Sequence, residues 1–476
     1  MQPTNIPDFE RSSMWSDVED VIHSTSPQPI YDYKALVHTV KEDIQVWDLF
    51  SIETVRDYAT KISDSPKILF KIGLGDYVNR LFPYRENLEV TIRKIPLKGN
   101  GEERSEKRPV VVTRYKAIFN PGANPQVGGS ELEAQDPHSL NTQDIVDVML
   151  ELVDRSVEFL RIKTTGGSYF NKTYEEMIRG LMGGESVRVL VDGKPCLEGL
   201  DLVPPDNNER QPQVILPHGL RLTSLPTYLQ ENLAGVYNRG IGTYFQIWEK
   251  RKTWFIYPLY DIERFDKGDK RAVFYSVPQE KLPGMDRTYV VEGDVLKIIS
   301  TAQRKYKDSA ETDQMNGGSG FRVADARPFM KKPVKIDAGG PIADRGRLNH
   351  ESVHKGRDDD LNFAPYLNTG ATSNPFSLRS VVNSNVMGQI DLVWENSDIS
   401  LIYPGMPCKY VYLSQGKPIS LKGTILFVHE HVYKNDRTRK DAVFRSNARI
   451  SIVCEPQSKK PELPKVEIIG DEWLEE

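Results

Sequence analysis

The sequence predicts an α+β, β-rich protein made of two small β-barrels with α/β insertions, and three observations lead there. Broadly alternating, β-branched segments gather near the two ends of the chain, over 68–120 and 386–455. Between them the apolar spacing becomes helical and then aromatic and hairpin-like. The 476 residues also exceed one core, since domains run to roughly 100–200 residues.

Residues 1–30 carry four prolines, many Ser, Thr and Asp, and isolated Met14 and Trp15, which reads as an extended arm. Over 31–140, ILFKIGLG (68–75), LEVTIRKIPL (88–97) and RPVVVTRYKAIFN (108–120) alternate and are separated by Gly, Asn and Pro. They predict a first barrel or sandwich, not a βαβ sheet. Asn141, with Asp144 three residues on, can cap a helix over about 142–162 whose buried side holds Ile145, Val148, Met149, Leu152, Val153, Ser156 and Leu160. Lys172 to Met182 reads as a second helix ended by Gly183-Gly184, and VRVLVDGKPCLEGL (187–200) as a hairpin turned at Asp192-Gly193.

From Ser224, LPTYLQENLAGVYNRG has Pro226 in a first turn, a stripe of Leu225, Leu229, Leu233 and Val236, and Gly240 to end the helix. The aromatic segment 243–262 follows as two strands joined at Glu249 to Lys252, so 141–302 reads as an α/β region contributing strands to the second barrel. Residues 303–377 lose all periodicity and form a long irregular insertion, either a flexible surface segment or an ordered loop for contact with another chain. Over 378–458 strands return, as VMGQIDLVWE, MPCKYVYLS, LKGTILFVHEHVY and AVFRSNARISIVCE, with no helix between them. A polar tail, 459–476, closes the chain.

Composition narrows the function classes. Sixty-two Lys and Arg against 67 Asp and Glu, net −5, give no global basic field. That disfavours a dedicated duplex-binding protein while leaving a local basic channel open. No stretch approaches the roughly 20 apolar residues that cross a bilayer, which excludes membrane insertion of a monomer. The start, MQPTNIPDFERSSMW, lacks a basic region followed by an apolar one, so synthesis in a cytosol is expected. Cys196, Cys408 and Cys454 lie far apart and read as buried small hydrophobes.

Chemistry-bearing motifs are few. His429 and His431 share one face of a strand and could bind zinc with a third ligand, although a hydrogen-bonded strand histidine explains them as well. Asp358, Asp359 and Asp360 could hold a hard cation but have no EF-hand spacing, and a solvated loop accounts for them. Gly73-Leu74-Gly75, Thr164 to Gly167 and Gly317 to Gly320 lack the phosphate-loop pattern and read as turns. Lys250-Arg251-Lys252, Lys331-Lys332 and Lys434 to Lys440 sit at expected turns, as solvated loop ends or as contacts to an acidic protein or passing nucleic acid. Tyr244, Phe245, Trp248, Trp254, Phe255 and Tyr257 fit a core face or subunit interface better than a base-stacking platform. No residue is assigned as catalytic, cofactor-binding or metal-binding, and no cofactor is expected.

The order in YPGMPCKYVYLSQGKPISLKGTILFVHEHVYKNDRTRKDAVFRSNARISIV resembles the closing β-domain of contractile-tail baseplate hub proteins, the T-even-type hub and late-control family together with the related spike-hub proteins of bacterial secretion machines. Pro404-Gly405 opens a strand, Val428 to His431 ends a later one, and Phe444 stands in the final hairpin. The helix LPTYLQENLAGVYNRG leading into FQIWEKRKTWFIYPL is similar in order to the hub's middle region. The match covers about the last 80 residues and, more loosely, 220–300; the arm and the 303–377 insertion depart from it. The resemblance implies two tail-tube-like barrels, no enzymatic activity, and a homotrimeric ring adapting a six-fold tail tube to a three-fold central spike. It further implies a place in the virion's tail baseplate, with spike, tube or tube-initiator and other baseplate proteins as partners, and DNA passing only transiently through the lumen. Two alternatives remain: another β-rich tail component, such as a tube initiator or distal tail adaptor, and a cell-wall or polysaccharide hydrolase.

Overall fold

The computed structural model describes residues 13–24, 28–97, 109–119, 145–184, 187–191, 193–237, 239–267, 270–278, 287–303, 320–323, 352–355, 388–414, 417–434 and 443–454. The first barrel is built from β1 (Ile30–His38), β2 (Asp43–Gln45), β3 (Asp48–Asp57), β4 (Lys67–Gly73), β5 (Leu88–Leu97), β6 (Val111–Phe119) and β7 (Ile145–Asp154). Six of them run in the order β1-β5-β6-β7-β4-β3, all antiparallel, with β2 a short flap on β1. Alternation decides which side faces in: Ile68, Phe70 and Ile72 of β4 and Val148, Leu150 and Leu152 of β7 are buried. Each fully buried apolar side chain of this kind contributes about 1.5–3 kcal/mol.

The chain then forms α1 (Arg155–Ile162), β8 (Thr164–Lys172), α2 (Tyr174–Met182), β9 (Leu190–Val191), β10 (Lys194–Pro195), β11 (Gly199–Leu202), β12 (Gln211–Arg221), α3 (Leu225–Glu231), β13 (Ile241–Trp248) and β14 (Arg251–Pro258). This middle region has its own core, in which the helices pack on the ribbon β8–β12 and on the sheet β11-β14-β13. The aromatic hairpin turns at Glu249 and Lys250, both at positive φ, +48° and +67°. A two-residue turn with two left-handed positions matches the twist of its strands.

The second barrel takes β15 (Arg271–Ser276), β16 (Tyr289–Glu292) and β17 (Val295–Gln303), then β20 (Gly388–Glu395), β21 (Pro407–Ser414), β22 (Lys417–Lys434) and β23 (Phe444–Cys454); β18 (Gly320–Val323) and β19 (Ser352–Lys355) pair with each other inside the irregular insertion. Here the hydrogen-bonded circuit closes: β22-β21-β15-β17-β20-β23 and back to β22. Its core holds Trp394, Tyr410, Phe274 and Ile450, all fully buried. Cys196, Cys408 and Cys454 are buried. No helix among the described residues is long and apolar enough to cross a membrane.

Three sequence expectations need correction. Residues 145–154 are a strand, not the start of a helix: only Arg155–Ile162 is helical, and Asp154 caps it by accepting from Ser156 N at 2.7 Å. The expected cap, Asn141, lies outside the described residues. Val148 and Leu152 fit both periods, and the slot between β4 and β6 selects the extended form. The arm is not wholly extended, because Ser13–His23 is a helix whose Met14, Val18 and Val21 pack on Val273, Tyr275 and Ile299 outside the second barrel. Its i, i+4, i+7 stripe is hidden in the composition by Pro3, Pro7, Pro27 and Pro29 on either side. Finally, α3 stops at Glu231 instead of running to Gly240. Gly235, at φ +83°, turns the chain, and Gln230 Oε1 accepts from Val236 N and Tyr237 N at 2.9 Å each, taking over the hydrogen bonding a longer helix would have supplied.

Candidate functional site at the joint of the two barrels

The joint is organised by β22, whose 18 residues belong to both barrels. Residues 417–424 pair with β21 of the second barrel, and residues 427–433 pair with β3 of the first. The change of partner falls at a bulge, where the register shifts between Ile425 and Phe427 and Leu426 O accepts from Tyr58 N at 2.9 Å. Bulges bend a strand and re-aim its side chains, which is what a strand switching sheets requires. The other edge of β22 stays on β23 from Gly423 to Lys434, on both sides of the bulge.

Past the bulge, Val428 still packs in the second barrel's core, and the next inward positions of β22 carry Glu430 and Val432. They meet a first-barrel interior whose lining changes from apolar to charged along each strand: Ile52, Thr54 and Arg56 on β3, Ile92 and Lys94 on β5. The turn 397–402 of the second barrel covers this end. Arg56 donates through Nη1 to Ile399 O at 2.6 Å and Ile402 O at 3.3 Å, while its Nη2 lies 3.1 Å from Asp64. Asp64 also accepts from Tyr244 Oη at 2.8 Å. Lys94 Nζ lies 3.0 Å from Asp398 Oδ1 and 4.0 Å from the centre of the Tyr31 ring, and Tyr31 Oη donates to Asp398 Oδ2 at 3.2 Å.

Glu430, 8% exposed, is the fifth charged group. Ser397 Oγ and Ile399 N approach its Oε1 at 3.3 and 3.4 Å, long for a carboxylate. Burial pushes its pKa up to about 7, with Asp398 adding to the shift and Lys94 and Arg56 opposing it. Burial alone would raise Asp398 as well, but Lys94 and the Ser400 hydrogen bonds outweigh it and hold that carboxyl below the usual range. Lys94 moves the other way: burial opposes its charge, yet Asp398 keeps it well above the ordinary lysine value. The cluster therefore assigns unlike roles to two neighbouring carboxyls, one firmly ionised and one poised near neutrality.

A cavity of about 210 Å³ opens beside these groups, lined by Thr54, Thr113, Tyr115, Ser63, Gln246 and Glu430 among others. Two buried oxygens at its wall, Ser63 Oγ and Gln246 Oε1, have no hydrogen-bond partner among the described residues. A larger hollow of about 590 Å³ is lined by Phe82, Arg85, Glu86, Lys116 and Ile118 among others. It gathers no converging set of buried charged groups, so the chemistry lies at the joint.

The residues singled out in the sequence fall elsewhere. His429 points away from the joint and pairs with Glu53 Oε1 at 2.7 Å, and His431 stacks on Tyr433 with ring centres 5.2 Å apart. Among the described residues no three His, Cys, Asp or Glu side chains gather as a metal site. Asp358 to Asp360, Lys331-Lys332, residues 317–319 and residues 435–440 lie outside the described residues. Lys434 is buried and paired with Asp48. Lys250 occupies the hairpin turn, and Lys252 Nζ lies 2.8 Å from Ser156 Oγ. Gly73 ends β4 and leads into a single turn of helix, whereas Thr164 to Gly167 form the start of β8. Tyr244, Phe245, Trp254, Phe255 and Tyr257 are core residues, and Trp248 lies half-buried against Tyr403.

Sequence reading missed Arg56, Asp64, Lys94, Asp398 and Glu430. A signal was present for three of them, because Arg56, Lys94 and Glu430 each stand two residues along from an inward-facing residue, where alternation calls for another core side chain. The His429/His431 reading placed those two on a shared face, which already implied that Glu430 points the other way.

The chain is similar to tail proteins. Among solved structures it is similar to the tail protein from Neisseria meningitidis MC58 at 8% identity and TM-score 0.43, covering 88% of this chain and 96% of that one. It is also similar to the 43 kDa tail protein of prophage MuSo2 from Shewanella oneidensis, at 9% identity and TM-score 0.45, over 89% of this chain and 98% of that one. A third similarity is to the Francisella PdpA-VgrG complex, at 8% identity and TM-score 0.42, over 93% of this chain and 56% of that one. No family model matches the sequence, and no curated protein does either.

Proposed function

We propose that the chain is a structural subunit of a contractile-tail baseplate, the central hub, with no enzymatic role. The observation that carries this reading is the presence of two six-stranded barrel units in one chain, held together by a strand they share. Three such chains in a ring place six barrels around one axis, so a six-fold tube meets one face and a three-fold spike the other. The barrels are the tail-tube-like parts, and the insertion 303–377 is the candidate contact element for neighbouring baseplate or tube proteins. Such a task needs fixed surfaces, and a shared strand fixes the two barrels more firmly than a linker would. In this reading the protein resides in the virion tail, and DNA passes through the lumen of the ring without being read.

The test is the mass of the purified full chain in solution by light scattering, alone and with candidate tube and spike proteins. A trimer, or a complex holding three copies with the spike, is expected. A six-copy ring would instead favour a tube initiator or distal adaptor, and a stable monomer that joins neither partner would remove the hub reading.

A further inference from the structure

We infer that the joint between the two barrels is a proton-operated latch in which Glu430 is the titrating group. With a proton on Glu430, the turn 397–402 is held closed on the first barrel; without it, the turn loosens. This does not depend on the hub reading, since it concerns only how the two barrels are fastened.

The geometry supplies the charge balance. Arg56 and Lys94 face Asp64 and Asp398, two cations against two anions, and both pairs are made across or beside the joint. A neutral Glu430 leaves that set balanced, and an ionised one adds a fifth, unpaired charge in a buried position. Such a charge is costly because its partners are already engaged. Around the cavity that reaches Glu430, β6 presents Tyr115 and β7 presents Asp154, a carboxyl that burial also raises. β5 presents Lys94, β1 presents Tyr33, β3 presents Arg56 with Asp64 behind it, and the covering turn presents Asp398. The residues in register on either side of β22 are Thr54 and Ala448, which carry no charge, and β13 contributes Gln246 through the cavity wall. His429 and His431 lie on the opposite face of the strand.

Two further observations fit. The cavity reaches Glu430, so water can carry a proton to it, and the orphaned Ser63 Oγ and Gln246 Oε1 give that water somewhere to bind. The contacts Glu430 makes with the turn, Ser397 Oγ and Ile399 N, are the long ones, whereas Arg56 reaches the same turn at 2.6 Å. The burial-raised pKa of about 7 fixes the direction. A carboxyl raised in the folded state favours the closed form most at low pH and loses that contribution as pH rises from its unfolded value, near 4.5, to about 7.

Hydrogen exchange of the full chain, corrected for intrinsic rates, tests this on the amides of residues 397–402. For the wild type, linkage predicts an opening constant that rises about 50- to 100-fold between pH 5 and pH 8. E430Q, which keeps the shape and the neutral charge, is expected to stay near the low-pH wild-type value throughout. The double variant H429Q/H431Q is expected to keep the full pH response. An equal rise in E430Q, or loss of the response in H429Q/H431Q, would overturn the latch. Should E430Q fail to fold, E430M, likewise uncharged at every pH, takes its place in the same exchange experiment: a flat response between pH 5 and pH 8 supports the proposal, and a response equal to that of the wild type overturns it.

Discussion

The two barrels close by different means. In the second, hydrogen bonds run all the way round, and the interior is filled by aromatic and aliphatic side chains such as Trp394, Tyr410 and Ile450. In the first, the six strands run from β1 to β3 without meeting, and the lower half of β22 continues the wall on the β3 side. On the β1 side the contact is made by side chains, with the rings of Tyr33 and Phe444 edge to face at 5.3 Å. The first barrel is therefore completed by its neighbour. Its interior shows the same dependence, since Val432 and Phe444 of the C-terminal strands belong to its apolar core and the turn 397–402 covers its polar end. A closed barrel can hold its interior dry alone, whereas an open one needs a partner surface and so couples two modules into one body.

Substitutions sharpen that contrast. The largest effect is expected from Trp394→Ala, which empties the middle of the closed barrel and removes both the indole donor to Thr288 and the edge contact with Tyr289 at 5.3 Å. Chemical denaturation should show a loss of about 4 kcal/mol. Next, Arg56→Met breaks the joint from the first-barrel side, leaving the carbonyls of Ile399 and Ile402 and the Asp64 carboxylate without their cation. A loss of about 3 kcal/mol is expected. Asp64→Asn in the same chain should recover part of it, and the absence of any recovery would show that the carbonyl contacts dominate.

Gly405→Ala is expected to cost about 2 kcal/mol in thermal or denaturant unfolding. Gly405 sits at φ +68°, and an added Cβ would run into the Tyr257 ring, so both backbone and packing object. The smallest effect belongs to His429→Ala. Its pair with Glu53 is about one-third exposed on both sides, so less than about 0.5 kcal/mol should be lost. A larger loss there would mean that the outer face of β22 is part of the fastening.

Much of this architecture could be read from the chain. The strands β4, β5, β6 and β20 to β23, the helix Tyr174–Met182 with its Gly183 stop, and the aromatic hairpin turned at Glu249 and Lys250 all follow from local periodicity and turn chemistry. Residues 145–154 were ambiguous because Val148 and Leu152 suit period two and period 3.6 alike, and only the gap between β4 and β6 decides. The joint was harder still. Arg56 and Asp398 are 342 positions apart in sequence, and nothing near either one says that they share a buried cluster. What sequence could show was the anomaly of Glu430, a charge where alternation demands a core residue.

The shared strand also has a mechanical meaning. Eighteen residues of extended chain span about 60 Å, and both edges along much of that length are fastened by rows of backbone hydrogen bonds. A pull along the strand loads those bonds together, in shear, and does not peel them one after another. Strain applied to one barrel then reaches the other through covalent backbone, around the bend at the bulge, so a tug at either end is shared by the pair.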